Sequence, residues 1–202
     1  MNKSSILVQG IGEKGIICPT QVDNKVLREY KLWVEMLRRC TSKYWIKCPT
    51  YTNCTVSESF KYYPNFYKWC QEQKGFDTQD EKGKSWHLDK DLLAKGNKVY
   101  GEDVCVFVPH RLNTMVVSCK ASRGIYPVGV SWDIKHLNFK ASCQSGDGVL
   151  KHLGSYKTPE QAFQAYKTYK EALIKEVASE YKSQLDPRAY QALLNYTVEI
   201  TD

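Results

Sequence analysis

The sequence predicts an α+β chain: an N-terminal region of helices and a short hairpin, then a three-stranded antiparallel sheet backed by one long helix. Three observations carry this. An apolar stripe recurs at helical spacing through Leu27, Tyr30, Trp33, Val34 and Leu37. Strand-like alternation with turn signals fills residues 129–156. A helix start at Thr158-Pro159-Glu160-Gln161 opens a stripe that runs for four turns.

The first element is a helix over residues 24–40, closed by Arg38 and Arg39, where cations complement the helix dipole. Before it, residues 1–26 alternate glycines with short β-branched stretches and read as loop and short strand. Residues 49–54 are turn-like, and a second helix follows over 63–72 with Phe66, Trp69 and Cys70 on its apolar side. The charged stretch 74–84 reads as a surface loop. The run Trp86 to Leu93, Gly96 to Tyr100 and Cys105 to Pro109 predicts two short strands around a loop, with a short helix over 111–117. Residues 118–128 are small and basic and read as a linker.

In the C-terminal part, alternation puts Phe139, Ala141 and Cys143 on one face of a strand and Lys140 and Ser142 on the other. Thr158 is the expected N-cap, with Pro159 at the first helical position and Gln161 completing a capping box. Ala162, Ala165, Tyr166, Tyr169, Leu173 and Val177 form the stripe that covers one sheet face, which leaves the other open and polar. The expected domains are 1–119, 120–183 and a short helical, acidic tail over 184–202, with 120–183 sufficient to fold alone.

The net charge is +7. Residues 1–119 carry 18 Lys/Arg against 13 Asp/Glu and residues 120–183 carry 10 against 6, so both parts suit a polyanion partner. No apolar run approaches the roughly 20 residues of a membrane span, so no membrane partner is expected. Residues 1–8 hold one lysine and three consecutive apolar residues, too little for a signal peptide, so the expected compartment is the cytoplasm. There, eight cysteines argue against a disulfide framework. Cys40, Cys48 and Cys54 cluster without a CxxC pair, and with Cys105 or His110 as a fourth ligand they could hold zinc; otherwise they are buried small hydrophobes.

The motifs "Phe139-x-Ala141", "Leu153-Gly154-x-Tyr156" and "Glu160-x-Ala162-x-x-Ala165-Tyr166" make about 55 residues resemble the DNA-binding domain of plant ethylene-response factors and its phage and homing-endonuclease relatives. The resemblance implies that the open sheet face lies in the major groove of duplex DNA. The candidate contacts are Ser131, Lys135, Lys140, Ser142, Gln144, Lys151 and His152. Asp133, also on that face, and the uncharged Ser131 and Ser142 depart from the arginines and tryptophans of the plant domains.

Residues 30–113 resemble the N-terminal part of phage proteins described as HNH endonucleases. The resemblance rests on Trp33-Val34-Glu35-Met36-Leu37-Arg38-Arg39-Cys40, Pro49-Thr50-Tyr51, Cys54-Thr55-Val56, Leu88-Asp89-Lys90-Asp91, Gly96-Asn97-Lys98-Val99-Tyr100 and Cys105-Val106-Phe107-Val108-Pro109. It implies a metal-dependent site with a histidine base following an aspartate. Asp89 matches the aspartate, but Lys90 stands where the base would be, and a lysine is ordinarily protonated and a poor base at neutral pH. Val104 stands where the family has asparagine. His87 is an imperfect substitute base; Asp89, Asp91 and Asn97 could hold Mg²⁺ through hard oxygen ligands.

The expected function is therefore double-stranded DNA binding by a phage-type protein in an infected bacterial host, with a degenerate HNH-like region. Two alternatives stay open: a metal-dependent nicking endonuclease, and a phage inhibitor of a host enzyme or defence complex. The sequence leaves the oligomeric state open.

Overall fold

The computed structural model describes residues 7–116, 124–145, 148–200 and 202. Residues 118–123 of the expected linker 118–128 and the middle of the turn at 146–147 lie outside the described residues. The chain is mixed α and β and forms two compact units, 1–108 and 109–202.

In the first unit, Asp23 and Asn24 adopt positive φ and turn strand β1 (Gln21–Val22) onto β2 (Lys25–Val26), so helix α1 (Arg28–Arg39) begins later than its apolar stripe predicts. Asn and Asp tolerate this conformation better than other side chains do. A short helix α2 (Ser42–Lys47) follows, then a 3-10 turn over Pro49–Tyr51. Strand β3 (Thr55–Val56) leads into α3 (Glu58–Lys61) and α4 (Tyr63–Glu72). Strand β4 (His87–Asp89) pairs antiparallel with β6 (Val106–Val108), and the stretch read as two strands holds three. Between them β5 (Val99–Tyr100) runs parallel to β3.

The core of this unit is aromatic. Trp33, Phe60, Tyr63, Phe66, Trp86 and Phe107 are fully buried, and each contributes about 1.5–3 kcal/mol by leaving water. The Trp33 indole N–H donates to Phe60 O at 2.7 Å, so its one polar atom is satisfied.

The second unit starts at α5 (His110–Val116), earlier than the expected boundary at 119/120. Arg111 pairs with Glu180, and Tyr196 Oη donates to Val116 O at 3.1 Å, which ties α5 to elements far along the chain. Strands β7 (Val130–Asp133), β8 (Asn138–Gln144) and β9 (Leu150–Tyr156) make an antiparallel sheet in the order β7-β8-β9. Helix α6 (Pro159–Glu180) packs on it. Its start is the expected one: Thr158 Oγ1 accepts from Gln161 N at 3.3 Å. The buried face of α6 adds Phe163, Ile174 and Ala178 to the expected stripe, while Ala165 and Tyr169 are only half-buried.

The expected acidic tail is part of this core. Helix α7 (Pro187–Leu194) packs on α6, and Leu185, Ala189, Leu193 and Val198 are buried. Val198 joins Cys143, Phe163 and Tyr166 in one cluster. The Lys167–Glu171 pair grips its backbone: Lys167 Nζ donates to Val198 O at 2.6 Å, and Val198 N donates to Glu171 Oε1 at 2.9 Å.

Candidate nucleic-acid interface

Cross-strand partners in an antiparallel sheet share a face, so the register sorts the candidate contacts. Ser131 pairs with Lys140, Asp133 with Asn138, Ser142 with His152 and Gln144 with Leu150. The partners on the other face, Val130 with Ala141 and Cys143 with Lys151, turn toward α6. The open face therefore gathers Ser131, Asp133, Asn138, Lys140, Ser142, Gln144, Leu150, His152 and, opposite Lys140, Ser155.

One bulge decides the placement of two adjacent candidates. The register slips between Ala141 and Ser142, with Leu153 as the extra residue on β9. An unbroken ladder would place Lys151 opposite Gln144 on the open face. The slip instead sets it opposite Cys143, where its ammonium lies 4.7 Å from the Tyr169 ring centroid on α6. Lys151 is thus a helix-side residue, and His152 takes the open face.

Asp133 dominates the electrostatics of that face. Its Oδ2 accepts from Lys140 Nζ at 2.6 Å and meets His136 Nδ1 at 2.6 Å, while Oδ1 accepts from Lys135 N at 3.0 Å. Lys140, then His136, hold its carboxyl well below the usual carboxylate range. Lys140, the one lysine among the strand residues of the open face, is therefore already matched by an anion. His136 did not stand out in the sequence; its signal was the three-residue spacing from Asp133 across the β7–β8 turn, where Lys135 also sits exposed. Gln144 Nε2 donates to Gly148 O at 3.2 Å, which fixes that amide against the second turn.

The HNH-like positions in the first unit are engaged in holding a loop. Asp89 Oδ1 accepts from Asp91 N and Leu92 N, both at 2.7 Å, and burial nevertheless pushes its carboxyl up. Lys90 is 5% exposed. Its Nζ donates to Asn97 O at 2.7 Å and to Asp91 Oδ1, and faces the Tyr100 ring at 5.7 Å. Asn97 Nδ2 donates to Lys90 O and Val99 O, closing the loop from the other side. His87 sits on β4 opposite Val108, two residues from Asp89.

Among the cysteines, Cys54 and Cys105 are buried, and Cys40 and Cys48 are half-buried. Burial pushes the Cys40 and Cys105 thiols up to about 12 and raises Cys54 as well, whereas zinc binds thiolates. Among the described residues, no three His, Cys, Asp or Glu side chains come together as a metal-holding group. No described helix is long and apolar enough to cross a membrane. The chain matches no protein-family model, no curated protein and no solved structure.

Proposed function

We propose that this chain binds double-stranded DNA through the open face of the β7–β8–β9 sheet and does not cut it. The observation that carries the reading is a sheet covered on one side by α6, with Ser131, Lys140, Ser142, Gln144 and His152 in register on the other. A small sheet of this kind fits the major groove, where hydroxyl, amide and imidazole groups read base edges and a lysine meets phosphate or guanine. The resemblance to ethylene-response-factor domains supports the same face, and the likeness to phage proteins supports an infected bacterial cell as the setting. Asp133 limits the phosphate attraction of Lys140, so binding leans on groove contacts more than on charge.

The non-cleaving half of the reading rests on Lys90. A general base needs a free lone pair near a water, and this amine is buried and donates to two oxygens. Asp89 is occupied by two backbone N–H groups, which suits a turn better than an open metal site.

Two assays test the reading. Fluorescence anisotropy of a labelled duplex should rise with added protein and weaken as salt increases; absent or salt-independent binding contradicts it. Supercoiled plasmid with Mg²⁺ or Mn²⁺ should stay uncut. Nicking that disappears in Asp89→Ala, with the fold intact, would show a working site instead.

A further inference from the structure

Helix α2 has six residues and buries none of them. Isolated helices of this length do not persist in water, so its order comes from its inner side. Thr41 Oγ1 caps Tyr44 N at 3.3 Å, and the Trp45 indole donates to Arg39 O at 2.9 Å. Tyr44 stands edge-on to Tyr51 at 5.4 Å, Arg38 lies 4.8 Å from the Tyr44 centroid, and Arg39 lies 5.4 Å from that of Tyr51. Cations and aromatic rings thus brace one another in a fixed layer.

The outer side has a different character. Lys43, Ile46 and Lys47 fall at i, i+3 and i+4 and so share one face. All three are exposed, Ile46 to 83%. Arg38 and Arg39 share Glu35 as counter-ion, but no ion pair reaches Lys43 or Lys47 among the described residues. Residues 36–57 contain four cations and no acid. Lys98, whose Nζ donates to Thr50 O at 2.7 Å, brings another ammonium to the same stretch. The result is a positive surface on which, among the described residues, Lys43 and Lys47 have no paired carboxylate, with half-buried aromatic rings behind it. Its complement is a polyanion, and the DNA reading supplies one in the phosphate backbone.

We propose that the Lys43–Ile46–Lys47 face of α2 is a second DNA contact, made to the phosphate backbone and carried by the first unit. It rests on the reading that the chain binds DNA, but not on the sheet face. Lys43 and Lys47 are four residues, about 6 Å, apart along the helix axis, a spacing their side chains can match to neighbouring phosphates of one strand.

The test compares full-length variants on a mixed-sequence duplex across a salt series. Lys43→Ala with Lys47→Ala should flatten the slope of log Kobs against log salt by roughly 1.8, since each lost phosphate contact removes about 0.9. Lys43→Arg with Lys47→Arg should restore it, and Lys140→Ala should act additively. An unchanged slope and affinity in the double alanine variant overturns the proposal. So does an unchanged slope accompanied by lost binding to polyglutamate, which would assign the surface to an acidic protein. If only the α2 variants weaken binding, the α2 contact stands and the sheet-face reading falls; if the wild-type chain binds no duplex at low salt, both fall.

Discussion

Asp133 and Asp89 show how differently one residue type behaves in two settings. Asp133 is bound by Lys140 and His136 on the proposed DNA face, so it repels phosphate and holds the nearest cation. Asp133→Asn should therefore tighten duplex binding and steepen its salt dependence, as measured by anisotropy. Weaker binding in that variant would mean that Asp133 reads a base, for instance a cytosine amino group. Asp89 is the opposite case, with a carboxyl raised by burial. A raised folded-state pKa favours folding below the ordinary aspartate range near 3.9 and loses that contribution as pH rises through the folded value. Charged Asp89 therefore costs stability at neutral pH. Asn at this position keeps an oxygen for the Asp91 and Leu92 amides, so Asp89→Asn should melt at or above the wild-type temperature at pH 7, with a smaller gap at pH 4. A drop of several degrees at pH 7 would mean that the charge itself holds the loop.

At the scale of elements, local signals were legible and long-range ones were not. The start of α6 was readable because Thr158, Pro159 and Gln161 act on backbone groups within one turn. The bulge at Leu153 was not, because alternation fixes which residues share a face only while the ladder is unbroken. The parallel pairing of β3 with β5 joins residues more than forty positions apart, Thr55 with Val99, and leaves no local pattern. Helix α2 was missed because it has no apolar stripe. The tail carried a short one, Leu185, Ala189 and Leu193 at spacings of four, yet its role depends on a partner helix. Truncation after Ser183 should therefore abolish cooperative unfolding of the second unit by circular dichroism; a truncated chain that unfolds like wild type would make the tail dispensable. Gly129 gives a sharper test of sheet against helix. Its φ is +76°, and a Cβ there would lie 2.0 Å from Tyr166 Cδ2 on α6. Gly129→Ala should cost roughly 2–5 kcal/mol in urea denaturation, from left-handed backbone strain plus overpacking. A change under about 0.5 kcal/mol, the range of a neutral surface substitution, would contradict this packing.

For the whole molecule, the charge surplus of both parts pointed to a polyanion but not to where it binds. The α+β class was readable from periodicity, whereas the state of the HNH-like positions needed three dimensions. Only the folded chain brings Lys90 Nζ to Asn97 O and the Asp89 carboxylate to two backbone amides. The central claim is that the open sheet face meets duplex DNA. Amide chemical-shift mapping of the full chain titrated with duplex tests it most directly. Progressive shifts are expected at Ser131, Lys140, Ser142, Gln144 and His152, with the α6-facing Ala141 and Cys143 moving less. Saturating duplex that leaves those five amides unmoved would contradict it.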